Sequence, residues 1–266
     1  MLMRSESRPV PAPKTNFTVK TIRAKSVLNK SKIFEYCVNA YTGCQINCRY
    51  CYARLFMRRY SGHKEPWGEF VDVKINAAEI LEKQLARAKK GVVWISSVCD
   101  PYQPLEETYA VTRQCLEILA AWQFPVNIQT KSTLILRDLD VLQKFVQIEV
   151  GFTITTDDEA VAEQFEPGAA RIKHRIAALK KIRSAGITTF AFIGPILPLN
   201  PQNLIRQLED ATDRVLIDRM NYVGSVQSIY RKLGFYREIK DGYFEETKDR
   251  LISELNGRNM KYEVFF

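Results

Sequence analysis

Three cysteines fall within eight residues of "YTGCQINCRYCYAR", the stretch Tyr41 to Arg54. The spacing Cys44-x3-Cys48-x2-Cys51 lets three thiolates converge on one inorganic centre, and iron–sulfur clusters are held by such closely spaced thiolates. Three ligands on four irons leave one iron open, as a catalytic metal keeps a vacant position. A structural zinc site is the competing reading. It needs a fourth ligand, for which Cys37 is the nearby thiol and His63 the nearby imidazole. The paired knuckles of zinc frameworks are missing from the chain.

The reducing interior of a cell suits such thiols. No apolar run reaches the roughly 18 residues of a membrane-spanning helix, and "MLMRSESRPVPAPK" lacks the apolar centre of a secretory signal. The expected location is therefore cytoplasmic, with no membrane partner and with clustered cysteines serving as ligands rather than disulfides. A composition of 46% hydrophobic and 26% charged residues is that of a globular protein. The net charge of +9 is uneven: residues 1–34 carry +7 of it. Such a basic arm suits phosphates or an acidic peptide. Arg49, Arg54, Arg58, Arg59, His63 and Lys64 make the cysteine loop and its sequel basic as well, which would guide an anionic substrate or an acidic electron donor.

The elements that must position these residues alternate. "FEYCVNAY" reads as a strand running into the cysteine loop. "NAAEILEKQLARAKK" reads as a helix capped by Asn76. The apolar "VVWISSV" suits a buried parallel strand. Helix "TYAVTRQCLEILAAWQ", with Cys115 on its core face, precedes strand "PVNIQTKS". A short helix "RDLDVLQKF" and strand "IEVGFTITT" follow. Helix "RIKHRIAALKKIRSAG" ends at Gly186, before strand "TTFAFIGPILP". Helix "PQNLIRQLEDATD" opens on Pro201, before strand "RVLIDRMNY". Six strands with helices between them predict an α/β chain with a parallel sheet. Six units fit a doubly wound sheet or an incomplete barrel, and in both the chemistry sits at the carboxyl ends of the strands. The cysteine loop follows the first strand and falls on that edge.

A CxxxCxxC loop after the first strand of such a chain, with Tyr52 directly after the last cysteine, resembles the radical S-adenosylmethionine (SAM) superfamily. Further stretches ("AKSVLNKS", "SSVCDPYQPLE", "FEPG" followed by "RIAALKKIRSAG", "GPILP", "LIDRMNY") resemble its spore photoproduct lyase-like branch, often labelled DNA repair photolyases. The resemblance spans about residues 24 to 250. It implies a partial (β/α)6 TIM-type barrel, a [4Fe–4S] cluster on Cys44, Cys48 and Cys51, and SAM on the open iron. It also implies reductive cleavage of SAM to a 5′-deoxyadenosyl radical that takes hydrogen from substrate.

Site assignments follow by the same resemblance. Ser96, Ser97 and Asp100 would meet the amino group of SAM, or cap the strand-to-helix turn that Asp-Pro favours. Lys131 would approach its carboxylate, and Tyr52 is a cofactor contact. Thr153 and Thr155, sharing a face of one strand, would reach its ribose or methionine. Gly194 and Pro195 would pack on its adenine. Photoproduct lyases use a cysteine in the second-strand loop as hydrogen donor. Here that position holds Ser97, so Cys99, two residues on, is a displaced thiol. Cys99 and Tyr102 are the candidate catalytic residues.

The expected organisation is a basic extension over 1–33, a radical SAM core over 34–222 and a C-terminal helical segment over 223–266. The substrate readings are lesion reversal in nucleic acid and radical maturation of a ribosomally synthesised precursor peptide. Either needs an electron donor such as flavodoxin or ferredoxin. A non-enzymatic zinc-stabilised binding protein is the third reading.

Overall fold

The computed structural model describes residues 17–266. The first 16 residues of the expected basic extension lie outside the described residues. The six parallel strands anticipated from the sequence are β3 (Tyr36–Val38), β6 (Val93–Ile95), β7 (Val126–Thr130), β8 (Ile148–Thr153), β9 (Thr188–Ile193) and β10 (Arg214–Ile217). They pair side by side in that order, all parallel. Crossover helices connect them: α2 (Ala77–Leu85), α4 (Val111–Trp122), α5 (Leu139–Leu142), α7 (Ile172–Ser184) and α8 (Pro201–Leu208).

Each strand sends one set of side chains outward onto the helices. Val93, Ile95, Val126, Ile128, Val150, Phe152, Ala191, Ile193, Val215 and Ile217 are all buried there. This apolar set supplies the main favourable term of folding. The alternate set lies on the concave side and is mixed. The Glu149 carboxylate accepts from Asn127 Nδ2 at 2.9 Å and from Arg214 Nε and Nη2, both at 2.7 Å. Nearer the carboxyl ends, Gln129 Nε2 donates to Thr153 Oγ1 at 2.9 Å. The strands thus alternate instead of being apolar on both faces, because one face surrounds a cavity.

Two flanking pieces were not apparent in the sequence. A three-stranded sheet joins β1 (Thr18–Ile22), β5 (Phe70–Lys74) and β4 (Tyr41–Thr42). It takes up part of the predicted extension, and β2 (Leu28–Lys30) takes up more by pairing antiparallel with β3. The C-terminal segment is not wholly helical. After α9 (Val223–Lys232) and α10 (Asp241–Gly257), β11 (Lys261–Val264) adds a further parallel strand beside β10.

Asn76 precedes α2 without capping it. Its side chain accepts from Ala24 N at 2.8 Å and donates to Ala24 O at 3.0 Å, tying the segment after β1 to the helix start. Pro201 and Gly186 act as read: Asn200 caps α8 ahead of Pro201, and Gly186 takes the left-handed φ of +83°. No helix among the described residues is long and apolar enough to cross a membrane.

Gly151 shows how tightly the sheet is filled. A Cβ there would sit 2.1 Å from the Phe190 ring on the neighbouring strand. Gly151→Ala is expected to lower the unfolding free energy by about 1–3 kcal/mol. The shift of the urea midpoint reads this, and adding Phe190→Leu should recover part of the loss.

Candidate active site

The loop from Gly43 to Tyr52 has no ladder of its own, and its shape is imposed by neighbours. On one side the Gln45 amide N–H donates to Gln103 Oε1 at 2.9 Å. Gln103 Nε2 returns to Gly43 O at 3.3 Å, and Leu105 N donates to Gln45 Oε1 at 2.7 Å. On the other side the segment between α6 (Glu159–Phe165) and α7 docks by main chain. Arg49 N donates to Phe165 O at 2.8 Å, and Gly168 N to Ile46 O at 3.0 Å.

This held loop presents Cys44, Cys48 and Cys51 to a cavity of about 360 Å³. The opposite wall comes from residues after β10, including Arg219, Asn221 and Tyr222. β3 and β10 stand at opposite ends of the six-strand order, so one cavity lined by the segments that follow both requires a curved sheet, a partial barrel. Trp94, Gln129, Thr153 and Phe192 line the concave floor between them.

The donor set suits a metal cluster. Burial pushes the Cys48 thiol up to about 12, raises Cys51, and holds Cys44 well above its ordinary value. Such thiols stay neutral until a metal displaces the proton. Cys44, Cys48 and Cys51 all line the same cavity, as ligands of one inorganic centre must. Cys37, the fourth ligand the zinc reading needs, is buried on β3 beside Asn39 Nδ2, at 3.7 Å, and does not line the cavity.

Most of the anticipated site residues gather here. Tyr52, Ser96, Ser97, Cys99, Asp100, Lys131, Thr153, Gly194 and Pro195 all line the cavity. Their side chains divide into free and committed groups. Ser96 adopts a left-handed φ of +65°, and its buried hydroxyl sits against the Cys99 thiol, whose ionised form it favours. Lys131 places Nζ 5.8 Å from the centre of the Tyr50 ring. Burial alone would lower this ammonium, but Cys48, Glu166 and Asp100 together raise it, so it is a cation.

Asp100 is committed. Its carboxylate accepts from Tyr102 N at 2.9 Å, Thr130 Oγ1 at 2.6 Å and Lys131 N at 2.8 Å, locking the turn after β6 to the end of β7. Its own N–H points at Cys44 Sγ, 3.3 Å away. Ser97 Oγ receives Asn39 Nδ2 at 3.2 Å, and Tyr52 donates its hydroxyl to Ser97 O. Burial, followed by Cys51 and Cys99, pushes that phenol up to about 12. The Cys99 thiol rests 3.6 Å from Tyr41 O, and burial pushes it up to about 12.

Two predicted residues lie elsewhere. Tyr102 is fully buried below the turn, near Asp138 and Glu106, and does not line the cavity. Thr155 lies past the end of β8, also outside the cavity, and donates to Glu166 Oε1 at 3.2 Å. The strand ends at Thr153, so the alternation that put both threonines on one face stops between them. His63 does not face the surface: its ring is buried, stacked on Phe70 at 3.9 Å, between Glu65 Oε2 at 3.1 Å and Asp72 Oδ1 at 2.9 Å.

Sequence reasoning missed Tyr50, which lines the cavity and donates its hydroxyl to the buried Glu166. An aromatic enclosed between two of the clustered cysteines was the available signal. Trp94, Gln129 and Tyr222 were also missed, since nothing local to them marks a site.

The radical SAM superfamily pattern matches residues 38–211. The chain belongs to the radical SAM superfamily. Membership implies SAM and an iron–sulfur cluster as its cofactors, in agreement with the donor set. An uncharacterised protein of Methanocaldococcus jannaschii is 39% identical over 179 residues, covering 66% of this chain and 67% of that one. An uncharacterised Mycobacterium tuberculosis protein is 31% identical over 214 residues, and the chain spans 60% of its length. The fold matches spore photoproduct lyase complexed with a dinucleoside spore photoproduct, with a TM-score of 0.68 and 17% identity, over 97% of this chain and 87% of that one. It also matches Streptococcus suis SuiB bound to the precursor peptide SuiA, with a TM-score of 0.61 and 15% identity, over 94% and 49% of the two chains.

Asp100→Ala should cost at least about 2 kcal/mol, because it strands three donors around a buried site. Ser97→Ala should cost no more than about 1 kcal/mol. Denaturant unfolding of the two variants, compared on one chain, checks the contrast.

Proposed function

We propose that the chain is a radical SAM enzyme of the photoproduct lyase type, acting on nucleic acid. Cys44, Cys48 and Cys51 would hold a [4Fe–4S] cluster whose open iron takes SAM. The chemistry this pair of cofactors supplies is one-electron cleavage of the sulfonium to a 5′-deoxyadenosyl radical, which draws hydrogen from substrate. The chain's own part is placement. Ser96 and Ser97 line the cavity where the SAM amino group would lie. Lys131 offers a fixed positive charge for the carboxylate. Asp100 acts at one remove, by holding Lys131 and the turn in place. Thr153 reaches the cavity floor, Gly194 and Pro195 form the wall for adenine, and Tyr52 closes the rim. Cys99 would serve as hydrogen donor only by leaving Tyr41 O.

The observation that carries the reading is the meeting of three buried thiols with the Lys131 cation in one cavity of the right superfamily fold. Nucleic acid is favoured by the basic arm and by an aromatic rim, Tyr52 and Tyr222, on which bases can stack. The dinucleoside complex of a protein with the same fold supports it. The precursor-peptide reading draws on SuiB and on Ser97 standing where lyases carry their cysteine. The electron would come from a small donor such as flavodoxin or ferredoxin in the cytoplasm, guided by Arg49 and Arg54. We assign residues 34–222 as the catalytic core.

The test is anaerobic reconstitution with iron and sulfide, followed by SAM and a chemical reductant. The wild type should bind about four irons and release 5′-deoxyadenosine. Cys44→Ala, Cys48→Ala and Cys51→Ala should each abolish release while leaving the thermal unfolding midpoint of the apo chain nearly unchanged. Continued release from any of them would refute the assignment.

A further inference from the structure

Beside Cys48 lies a second constellation that ligation does not require. The Glu166 side chain, in the link between α6 and α7, has no exposed surface, and that of Arg175 in α7 is 1% exposed; the two form an ion pair. Tyr50, placed between Cys48 and Cys51, donates its hydroxyl to Glu166 Oε1, and Thr155 Oγ1 donates to the same oxygen. Arg175 also donates Nε to Ala170 O at 2.6 Å and Nη1 to Thr153 O at 3.0 Å. Neither Glu166 nor Arg175 lines the cavity. The pair therefore touches no substrate, yet reaches the cysteine loop through one hydroxyl.

We infer that the buried Glu166–Arg175 pair, coupled to the loop through Tyr50, sets the reduction potential of the cluster held by the three cysteines. This rests on the cluster proposed above. Reduction adds a negative charge to such a centre, so nearby positive charge favours the reduced form and nearby negative charge opposes it. Cluster potentials respond to net charge and hydrogen bonding in this way. In a buried region such charges are weakly screened. As it stands, the pair is neutral overall, with Lys131 and Asp100 as the other charged groups beside the loop. Glu166 and Arg175 are positioning residues, acting on the cluster without contact with substrate.

The sign of the effect separates tuning from a merely structural role. Wild type, Glu166→Gln, Arg175→Gln and the double variant would be reconstituted, their iron counted per chain, and the cluster titrated without SAM by electron paramagnetic resonance of its reduced form. The midpoint potential should rise in Glu166→Gln, fall in Arg175→Gln and return close to wild type in the double variant. Tyr50→Phe keeps every charge and the ring but removes the hydroxyl that offsets the carboxylate, so its potential should fall by less than that of Arg175→Gln. It carries the test if the charge variants do not fold. Unchanged potentials, shifts of one sign in both single variants, or loss of iron from every variant with native unfolding midpoints would overturn the inference. A wild type that takes up no iron would instead refute the cluster.

Discussion

The cysteine loop is the constraint on which the rest of this structure depends. It must hold three thiols in fixed directions while making no secondary structure of its own. Its backbone groups are therefore satisfied from outside, by the Gln45–Gln103 exchange on one flank and the Phe165–Gly168 segment on the other. The fit leaves no slack at Gly168, where a Cβ would fall 2.4 Å from Gln45 O. Glycine is needed there for close approach of two backbones. A loop held this way is organised before any cofactor arrives, which limits the ordering cost of binding one.

The buried charges beneath that loop are hard to explain by stability alone. Removing one partner of a buried ion pair costs about 3–5 kcal/mol, yet replacing both by apolar groups of similar volume is often neutral or stabilising. A chain needing only a stable core at Glu166 and Arg175 would do as well with two hydrocarbons. Burial tends to raise the Glu166 carboxyl, but Arg175 and Lys131, aided by Tyr50, hold it below its ordinary value. The pair is thus kept charged, next to Cys48. Charge retained where it is costly belongs with function rather than with folding.

The alternation of strands and helices and the cysteine loop were legible because each depends on local pattern, and the family resemblance supplied about half of the cavity lining. Alternating strands and helices with short links admit few topologies, and strand ends converge wherever such a sheet curves. What stayed hidden depends on contacts far apart in sequence. Nothing near Asp100 tells that its carboxylate is consumed by Thr130 and Lys131, thirty residues on. Nothing near Tyr102 tells that the turn folds it under, away from the cavity. The short β5 "FVDVK" alternates only briefly, and its partner β1 lies in a segment that reads as a charged tail. Tyr50 was overlooked for another reason: a side chain between two motif cysteines looks like spacing, although the ring and hydroxyl join loop, cavity and ion pair.

The concave face explains how one sheet accommodates both a core and a reaction site. Its lower end is closed by Asn127, Glu149 and Arg214, whose polar groups satisfy one another. Because Arg214 also pairs with Glu263 on β11, the added C-terminal strand extends that closure across the open edge of the sheet. Access is left at the carboxyl ends of the strands, past Tyr52 from one edge of the partial barrel and Tyr222 from the other. A reactive species formed on the thiol side would meet only what enters between those two rings. On the proposed function, selection of substrate would then fall to edge residues such as Tyr52 and Tyr222 rather than to the thiols.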